Sequence, residues 1–372
     1  MKTVHHALTQ GTPGVAIELR SLHFGTPGAG PKATLQAALH ADEIPGLLVA
    51  HHLRARLAAL EDEGRIVGEI VLVPVANPIG LAQRVLGAVE GRFELASGEN
   101  FNRHYADLFD AVATRVAGAL GADATANVAL IRTALREAAA ALPARSTLES
   151  LRRTLLGLSI DADIVLDLHC DSDAVLHLYT ETSVWPQVEP LARLLGCEAA
   201  LLAEVSGDHP FDEACSTIWP RLAAHFGPAT PIPSACVAVT VELRGEADVA
   251  HDLAERDAQA IVDYLAWQGL VAGAPATLPL PRCEATPLAG SIPVSAPHAG
   301  VLAYLREPGA QVAAGERLAD LVEPMTGLVT PLVSPIDGVL YARETRRFVP
   351  AGAGVLRVAG REALRTGNLL TA

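Results

Sequence analysis

The stretch DIVLDLH, residues 163–169, decides the fold class of this chain of 372 residues. Its apolar side chains occupy both faces of an extended segment, as in a strand that helices cover on both sides. The run VAVTV, residues 237–241, repeats this pattern. Up to about residue 270, such strands alternate with helical stretches, and the first helical stretch, residues 44–61, carries a broad apolar stripe. The sequence therefore predicts an α/β domain over residues 1–270.

The sequence changes character twice beyond this region. Residues 271–294 are rich in proline and indicate a linker. The segment APHAGVL at 296–302 then recurs as SPIDGVL at 334–340, which predicts a small all-β domain of two similar halves over residues 295–372. This domain resembles the biotinyl/lipoyl-type barrels. The only lysines of the chain are Lys2 and Lys32, so the domain has no attachment lysine and is expected to be an interaction or lid module.

Composition narrows the classes of function. The formal net charge of −14 argues against nucleic acid or an anionic membrane as a partner, because both require a basic surface. The five cysteines show no CxxC spacing, which favours a reducing compartment. The N-terminal segment has no apolar region typical of a signal peptide, and charged residues or proline interrupt every long apolar window. We therefore expect a soluble, cytoplasmic protein.

Two segments carry residues suited to a metal site. His40 and Glu43 lie three positions apart where an apolar strand gives way to a helix, so one turn could direct both at the same ion. His169 ends a buried strand, where open α/β sheets bind their ligands, and Asp167 on the same strand face could orient it. Two histidines and a glutamate would leave zinc a fourth position for water. Each residue also has an interpretation without a metal. Glu43 could be an acid that the helix dipole stabilises in the first turn, and His169 could be a core histidine bonded to the backbone.

Two further segments suggest substrate chemistry. Asn102 and Arg103 place an amide beside a guanidinium, a combination that can bind a carboxylate; the alternative is a helix cap with a solvated arginine. Glu242 ends the second buried strand, where its carboxyl group could take part in the chemistry of a site at the sheet edge. The alternative is that Glu242 forms a surface ion pair with Arg244. The loop at 204–215 could shape specificity, with Asp208 or Asp212 binding a substrate amine, or it could be a solvated surface loop.

Taken together, these segments resemble the succinylglutamate desuccinylase/aspartoacylase family, relatives of the zinc carboxypeptidases. The resemblance spans about residues 34–245 and rests on five motifs in the family's order: His-x-x-Glu at 40–43, Asn-Pro at 77–78, Asn-Arg at 102–103, Asp-Leu-His at 167–169 and the strand-end Glu242 before Gly245. It implies a mixed central sheet flanked by helices, similar to the zinc carboxypeptidases, followed by the small C-terminal β barrel-like domain.

The resemblance also implies a role for each matched residue. His40, Glu43 and His169 would ligate zinc, Glu242 would be the general base and proton shuttle, and Arg103 with Asn102 would hold a substrate carboxylate. The family has an arginine upstream of Asn-Arg that stabilises the oxyanion. Arg92 is our choice for this role, with Arg84 as the alternative, because the spacing from Arg92 to Asn102 is longer than in better-known members.

The implied activity is zinc-dependent hydrolysis of the amide bond of an N-acyl amino acid or a similar small amide. The alternatives are a metallocarboxypeptidase acting on peptides and a zinc-binding protein without turnover. The expected partner is a small molecule, and the sequence leaves open the acyl group, the amine and whether the chain forms a homo-oligomer.

Overall fold

The computed structural model describes residues 1–370. Its larger part contains a mixed sheet of nine strands, and two antiparallel sheets follow toward the C-terminus. The strands in chain order are β1 (Lys2–Ala7), β2 (Glu18–Gly25), β3 (Lys32–Ala37), β4 (Glu69–Val73), β5 (Arg84–Val85), β6 (Ala88–Val89), β7 (Ile164–Asp171), β8 (Asp173–Ala174), β9 (His177–Glu181), β10 (Ala199–Ala203), β11 (Val237–Gly245), β12 (Ala285–Pro287), β13 (Ser291–Ser295), β14 (Gly300–Tyr304), β15 (Gln311–Val312), β16 (Arg317–Val322), β17 (Val329–Val333), β18 (Gly338–Arg343), β19 (Phe348–Val349) and β20 (Gly354–Ala359).

Helices cover both faces of the large sheet. They are α1 (Pro45–Asp62), α2 (Pro78–Ala82), α3 (Phe109–Val116), α4 (Ala124–Ala140), α5 (Thr147–Ser159), α6 (Trp185–Leu195), α7 (Phe211–Ser216), α8 (Ile218–Phe226) and α9 (His251–Trp267). Apolar residues of α1, α6 and α9 form one core cluster with the sheet, and those of α3, α4, α5, α7 and α8 form a second. No helix within residues 1–370 has the length and apolarity needed to cross a membrane.

The order of strands in the large sheet is β1-β2-β4-β3-β7-β11-β9-β10-β12. At its centre β3, β7 and β11 are parallel, whereas β11 and β9 are antiparallel, so the sheet is mixed. The α/β class, the mixed central sheet flanked by helices and the C-terminal β structure predicted from the sequence are confirmed. Because the three central strands are parallel, their carboxyl ends meet at one edge of the sheet, where ligands bind in such folds.

The alternation of side chains along β7 decides what faces this edge. Ile164, Leu166 and Leu168 belong to the core cluster on the side of α1 and α9, whereas Val165 belongs to the cluster on the opposite side. Successive side chains of a strand point to opposite faces. Asp167 and His169 therefore share the face of Val165.

The C-terminal part contains one sheet of order β13-β20-β18-β15 and another of order β17-β16-β14-β19. The repeated segments correspond to the starts of β14 and β18. The short strand β8, from the larger part of the chain, pairs with β18, and Tyr341 of β18 packs in a buried cluster with Val175 and Leu201.

The structure places two strands within the predicted linker at residues 271–294, because β13 begins at Ser291 and a further strand precedes it. Ala285–Pro287 forms β12, which pairs with β10 at the edge of the large sheet. Pro287 fits there because an edge strand does not require every backbone N–H to donate.

Candidate active site

A buried cluster of His40, Glu43 and His169 lies at the centre of the site. His40 follows β3 and Glu43 precedes α1, so the connection between these elements presents both side chains. Ala38, in this connection, has a φ of 60°, and Pro45 opens the helix. His169 lies in β7, the parallel neighbour of β3. One potential ligand atom from each of the three residues lies within 4.8 Å of the other two.

Both imidazoles direct Nδ1 at the carboxylate of Glu43. Nδ1 of His40 lies 2.9 Å from Oε1, and Nδ1 of His169 lies 2.7 Å from Oε2. The other ring nitrogen of His40, Nε2, lies 2.9 Å from Oδ1 of Asn100. That oxygen also accepts a 2.8 Å hydrogen bond from the backbone N–H of Asn102. Because Oδ1 can only accept, Nε2 of His40 donates, and Nδ1 is the nitrogen available to a metal.

The second ring nitrogen of His169 contacts a carboxylate. Its Nε2 lies 2.9 Å from Oδ2 of Asp167, and Oδ1 of this fully buried carboxylate accepts a 3.0 Å hydrogen bond from Nε2 of Gln36. Metal-binding histidines usually donate their second ring N–H to an oxygen acceptor, and Oδ2 of Asp167 has no hydrogen-bond partner within residues 1–370. Two such imidazoles and one carboxylate fit the donor set of catalytic zinc sites with three protein ligands. The cluster could therefore hold a metal ion.

The environment of these groups shifts their protonation. Burial, together with the positive charge of Arg92, lowers the pKa of His40. Burial also opposes protonation of His169, but the carboxylates of Asp167 and Glu43 outweigh it and raise the pKa of this imidazole well above its usual value. Burial would favour the neutral acid at Glu43, yet the two imidazoles hold its pKa well below the ordinary range. Glu43 is therefore a carboxylate near neutral pH.

Of the two arginines considered from the sequence, the structure brings Arg92 to the cluster. Its Nη2 donates a 3.0 Å hydrogen bond to Oε1 of Glu43. Arg84 lies on β5 with its side chain exposed and is not among the residues that line the pocket. The preceding Gly91 packs against the turn that carries His40, because a Cβ there would lie 2.1 Å from the backbone nitrogen of Asp42. This close approach gave no signal in the sequence.

Asn102 and Arg103 are both buried and both line the pocket. Oδ1 of Asn102 accepts a 2.9 Å hydrogen bond from the backbone N–H of Phe211, so its amide nitrogen faces His169, 3.5 Å from Nε2. Nη1 of Arg103 donates to the backbone oxygen of Asn102 at 2.7 Å. Burial and the neighbouring Arg92 lower the pKa of Arg103.

Glu242 lies on β11, directly opposite His169 of β7, and lines the same pocket. Burial and the nearby carboxylate of Glu43 raise its pKa to about 8. Within residues 1–370, its Oε2 has no hydrogen-bond partner. The pairing with Arg244 that we considered from the sequence is not formed, because Arg244 donates two hydrogen bonds, of 2.9 and 2.7 Å, to Asp257.

The pocket has further walls, only one of which was named from the sequence. Asp212, named as a candidate for binding an amine, lines the pocket beside Glu213, whereas Asp208 accepts a 2.9 Å hydrogen bond from Asn368. Burial raises the pKa of Glu213 to about 7. The C-terminal part of the chain also contributes to the walls. Its pocket-lining residues are Leu288, Arg357 and Leu370.

Comparisons with known proteins place this geometry in context. Residues 29–131 match the family model of the succinylglutamate desuccinylase/aspartoacylase catalytic domain. No curated protein matches the sequence of this chain. A solved structure from Shewanella amazonensis SB2B, assigned to the succinylglutamate desuccinylase/aspartoacylase family, is 27% identical, covers 96% of this chain and 98% of its own, and has a TM-score of 0.84.

Two other solved structures extend this similarity. A protein from Shewanella frigidimarina NCIMB 400 with the same assignment is 25% identical over 96% of both chains, with a TM-score of 0.82. The ectoine utilization protein EutE (DoeB) from Ruegeria pomeroyi, in a product-bound structure, shares the fold at 18% identity and a TM-score of 0.67, over 96% of this chain and 94% of its own. The predicted resemblance is thus confirmed: the chain matches the succinylglutamate desuccinylase/aspartoacylase family in its catalytic-domain sequence over residues 29–131 and in its fold over nearly its whole length.

Proposed function

We propose that this chain is a zinc-dependent deacylase that hydrolyses the amide bond of an N-acyl amino acid or a similar small amide. The resemblance to the family supports a hydrolase of this kind. The observation that carries the proposal is the convergence of two imidazole Nδ1 atoms on the carboxylate of Glu43, with the carboxylate of Glu242 on the neighbouring strand. His40, His169 and Glu242 line one pocket, where a small amide could reach them together.

The proposed division of work follows from what each side chain contacts. His40, Glu43 and His169 would hold the zinc ion, which supplies an activated water and a polarised substrate carbonyl when bound. Because a bound cation favours the charged form of a nearby carboxyl, Glu242 would then be a carboxylate. It would accept the proton of the attacking water and return it to the leaving nitrogen. Its Oε2, which lacks a hydrogen-bond partner among residues 1–370, is available for that proton.

Two of the arginines that line the pocket have separate proposed tasks. Arg92, whose side chain is 42% exposed beside Glu43, would donate to the oxyanion that develops on the substrate carbonyl. Arg103 and the amide nitrogen of Asn102 would bind the carboxylate of the amino acid part, as a guanidinium and an amide can do together. The products would be a carboxylate and a free amino acid.

The walls of the pocket favour a small substrate over a peptide. Leu288, Arg357 and Leu370 enclose it from the C-terminal part of the chain, so a long peptide has less room than a single acylated amino acid. We accordingly assign catalysis to residues 1–270 and a role in narrowing the pocket to residues 295–372, together with Leu288 of the segment that precedes them. The cytoplasmic location expected from the cysteine usage stays a prediction.

A hydrolysis panel tests the proposal. The purified protein is supplied with zinc and incubated with N-acetyl, N-succinyl and N-formyl amino acids, and release of the free amine is measured. We expect at least one member to be hydrolysed, and Glu242→Gln to lower kcat/KM by about 10²- to 10⁴-fold, the usual contribution of a general base. Glu255→Gln, on the exposed face of α9, is the matched control and should keep wild-type activity.

The outcomes separate the alternatives. Equal and negligible hydrolysis by wild type and Glu242→Gln across the panel would point to a zinc-binding protein without turnover. Faster hydrolysis of unblocked peptides than of any N-acyl amino acid would point to a carboxypeptidase. Within the deacylase account, Arg92→Gln should lose activity and Arg84→Gln should not, and the reverse result would exchange the roles of these two arginines.

A further inference from the structure

The C-terminal part of the chain places one arginine inside the pocket of the candidate active site. Arg357 lies in β20, and its side chain lines the same pocket as His169 and Glu242. Its Nη1 donates a hydrogen bond to Oδ2 of Asp171, the last residue of β7. Asp171 is two residues after His169, a proposed metal ligand, so the C-terminal sheet brings a positive charge close to the proposed metal site.

A second arginine of the same sheet shows how a purely structural guanidinium is held here. All three nitrogens of Arg343 have partners: Asp173 at 2.7 Å, the backbone oxygen of Arg306 at 2.9 Å and Glu307 at 2.6 Å. Only 9% of its side chain is exposed. Arg357 differs on both counts, because 48% of its side chain is exposed and only Nη1 has a hydrogen-bond partner within residues 1–370. A guanidinium has five N–H donors, so Arg357 keeps donors for a ligand.

The charges around Arg357 are distinct from those around Arg103. The carboxylate of Asp171 raises the pKa of Arg357, so its guanidinium stays charged. Arg103 instead has one cationic neighbour, Arg92, and three acidic ones, Asp212, Asp208 and Glu213. Arg103 and Arg357 are therefore cationic positions of the pocket with different surroundings.

We propose that Arg357 is a specificity-determining residue that binds a carboxylate at the far end of the substrate's acyl group. This inference rests on the proposed deacylase function, in which Arg103 binds the carboxylate of the amino acid part. Arg357 is a second arginine with unused donors, and it would bind a second carboxylate of the substrate, on the acyl group. A planar guanidinium can bind a carboxylate through two parallel hydrogen bonds. The C-terminal part of the chain would thus select the acyl group as well as narrow the pocket.

The test compares two acyl groups of nearly equal shape on one amino acid. N-succinyl carries the terminal carboxylate, and N-succinamoyl replaces it with a neutral amide. For the zinc-supplied wild type, we expect kcat/KM to favour the charged substrate. Arg357→Gln should lower kcat/KM for N-succinyl by about 10- to 100-fold, the range of a lost hydrogen bond between charged groups, and change N-succinamoyl by less than about threefold. Most of the loss should appear in KM, and Arg357→Lys should restore part of the preference.

Arg343→Gln is the matched control, because it removes a guanidinium from the same sheet outside the pocket. It should lower thermal stability and keep the preference for the charged acyl group. Equal losses for both substrates in Arg357→Gln, or an unchanged preference, would overturn the inference and leave Arg357 as a structural partner of Asp171.

A binding measurement separates failure of this inference from failure of the proposed function. Both compounds are titrated by calorimetry into Glu242→Gln and into Glu242→Gln/Arg357→Gln, where hydrolysis does not interfere. Tighter binding of N-succinyl that disappears in the double variant supports the inference, even if wild type hydrolyses nothing and the deacylase proposal fails. Equal affinities for the two compounds in Glu242→Gln would refute it.

Discussion

Replacing Asp167 by asparagine tests whether this buried carboxylate prepares His169 to bind a metal. The side chain is fully buried, with Oδ2 2.9 Å from Nε2 of His169 and Oδ1 accepting from Gln36 at 3.0 Å. Asparagine has nearly the same shape but a single oxygen acceptor and no charge. Gln36 can adapt, because its own buried Oε1 has no hydrogen-bond partner among residues 1–370 and could accept from the new amide. The ring of His169 would then keep its acceptor and lose only the charge.

The size of the effect follows from this exchange. When His169 binds a metal through Nδ1, its Nε2–H can donate to the neighbouring side-chain oxygen of residue 167. A hydrogen bond to a charged group contributes about 1.5–3 kcal/mol, and a neutral one about 0.5–1.5 kcal/mol. The difference, about 1 to 1.5 kcal/mol, corresponds to about tenfold weaker zinc binding. This lies at the lower end of the loss usually seen when such outer partners of a metal ligand are altered.

The assay is a competitive titration of zinc against a chromophoric chelator at fixed pH. Asp257→Asn is the matched control, since Asp257 is also buried and pairs with Arg244 away from the pocket. It should lower stability and leave zinc affinity unchanged. Zinc affinity of Asp167→Asn within twofold of wild type would refute the reasoning, as would an equal loss in both variants.

Three further substitutions test the fold and the pocket. Burial raises the pKa of Glu213 to about 7 from the value of 4.5 used for an unperturbed glutamate, so its carboxylate destabilises the folded state increasingly as pH rises through that window. Glu213→Gln should therefore be more stable than wild type by about 1–3 kcal/mol at about pH 8 and by little at about pH 5, and an equal gain in melting temperature at both pH values would contradict this. Gly91→Ala should lower kcat/KM more than tenfold and destabilise the protein by about 1–3 kcal/mol, because its Cβ would collide with the backbone of Asp42; unchanged activity would contradict the close packing. Gly157→Ala, in the interior of α5 with open space around it, should raise stability by about 0.5–1 kcal/mol in urea unfolding, and a loss would show an unseen contact.

The buried centre of the fold was predictable because a strand that is buried on both faces has a continuous run of apolar residues. The strand expected at 163–168 is observed as Ile164–Asp171, and the helix expected at 44–61 is observed as Pro45–Asp62. The edges carry no such signal. The strand Lys2–Ala7 lies at the edge of the sheet with most of its side chains exposed, so its sequence contains no continuous apolar run.

The site was predictable where residue type alone carries the chemistry. His40, Glu43 and His169 belong to types that bind metals, and the strand and helix boundaries placed them at one sheet edge. Asn100 gave no comparable signal, because an asparagine that orients a histidine looks like any turn residue until its contacts are known. Arg357 enters the pocket only because the C-terminal sheet packs against the larger part of the chain, where β8 pairs with β18. Contacts between segments distant in sequence leave no local pattern.

Zinc stoichiometry of the ligand variants tests the central claim most directly. Wild type, His40→Ala and His169→Ala are loaded with zinc, dialysed against a weak chelator and analysed for metal per chain, with circular dichroism confirming that each variant is folded. The account predicts one zinc ion per wild-type chain and almost none in either variant, because two protein ligands hold zinc far more weakly than three. Retention of one zinc ion per chain by both folded variants would contradict it.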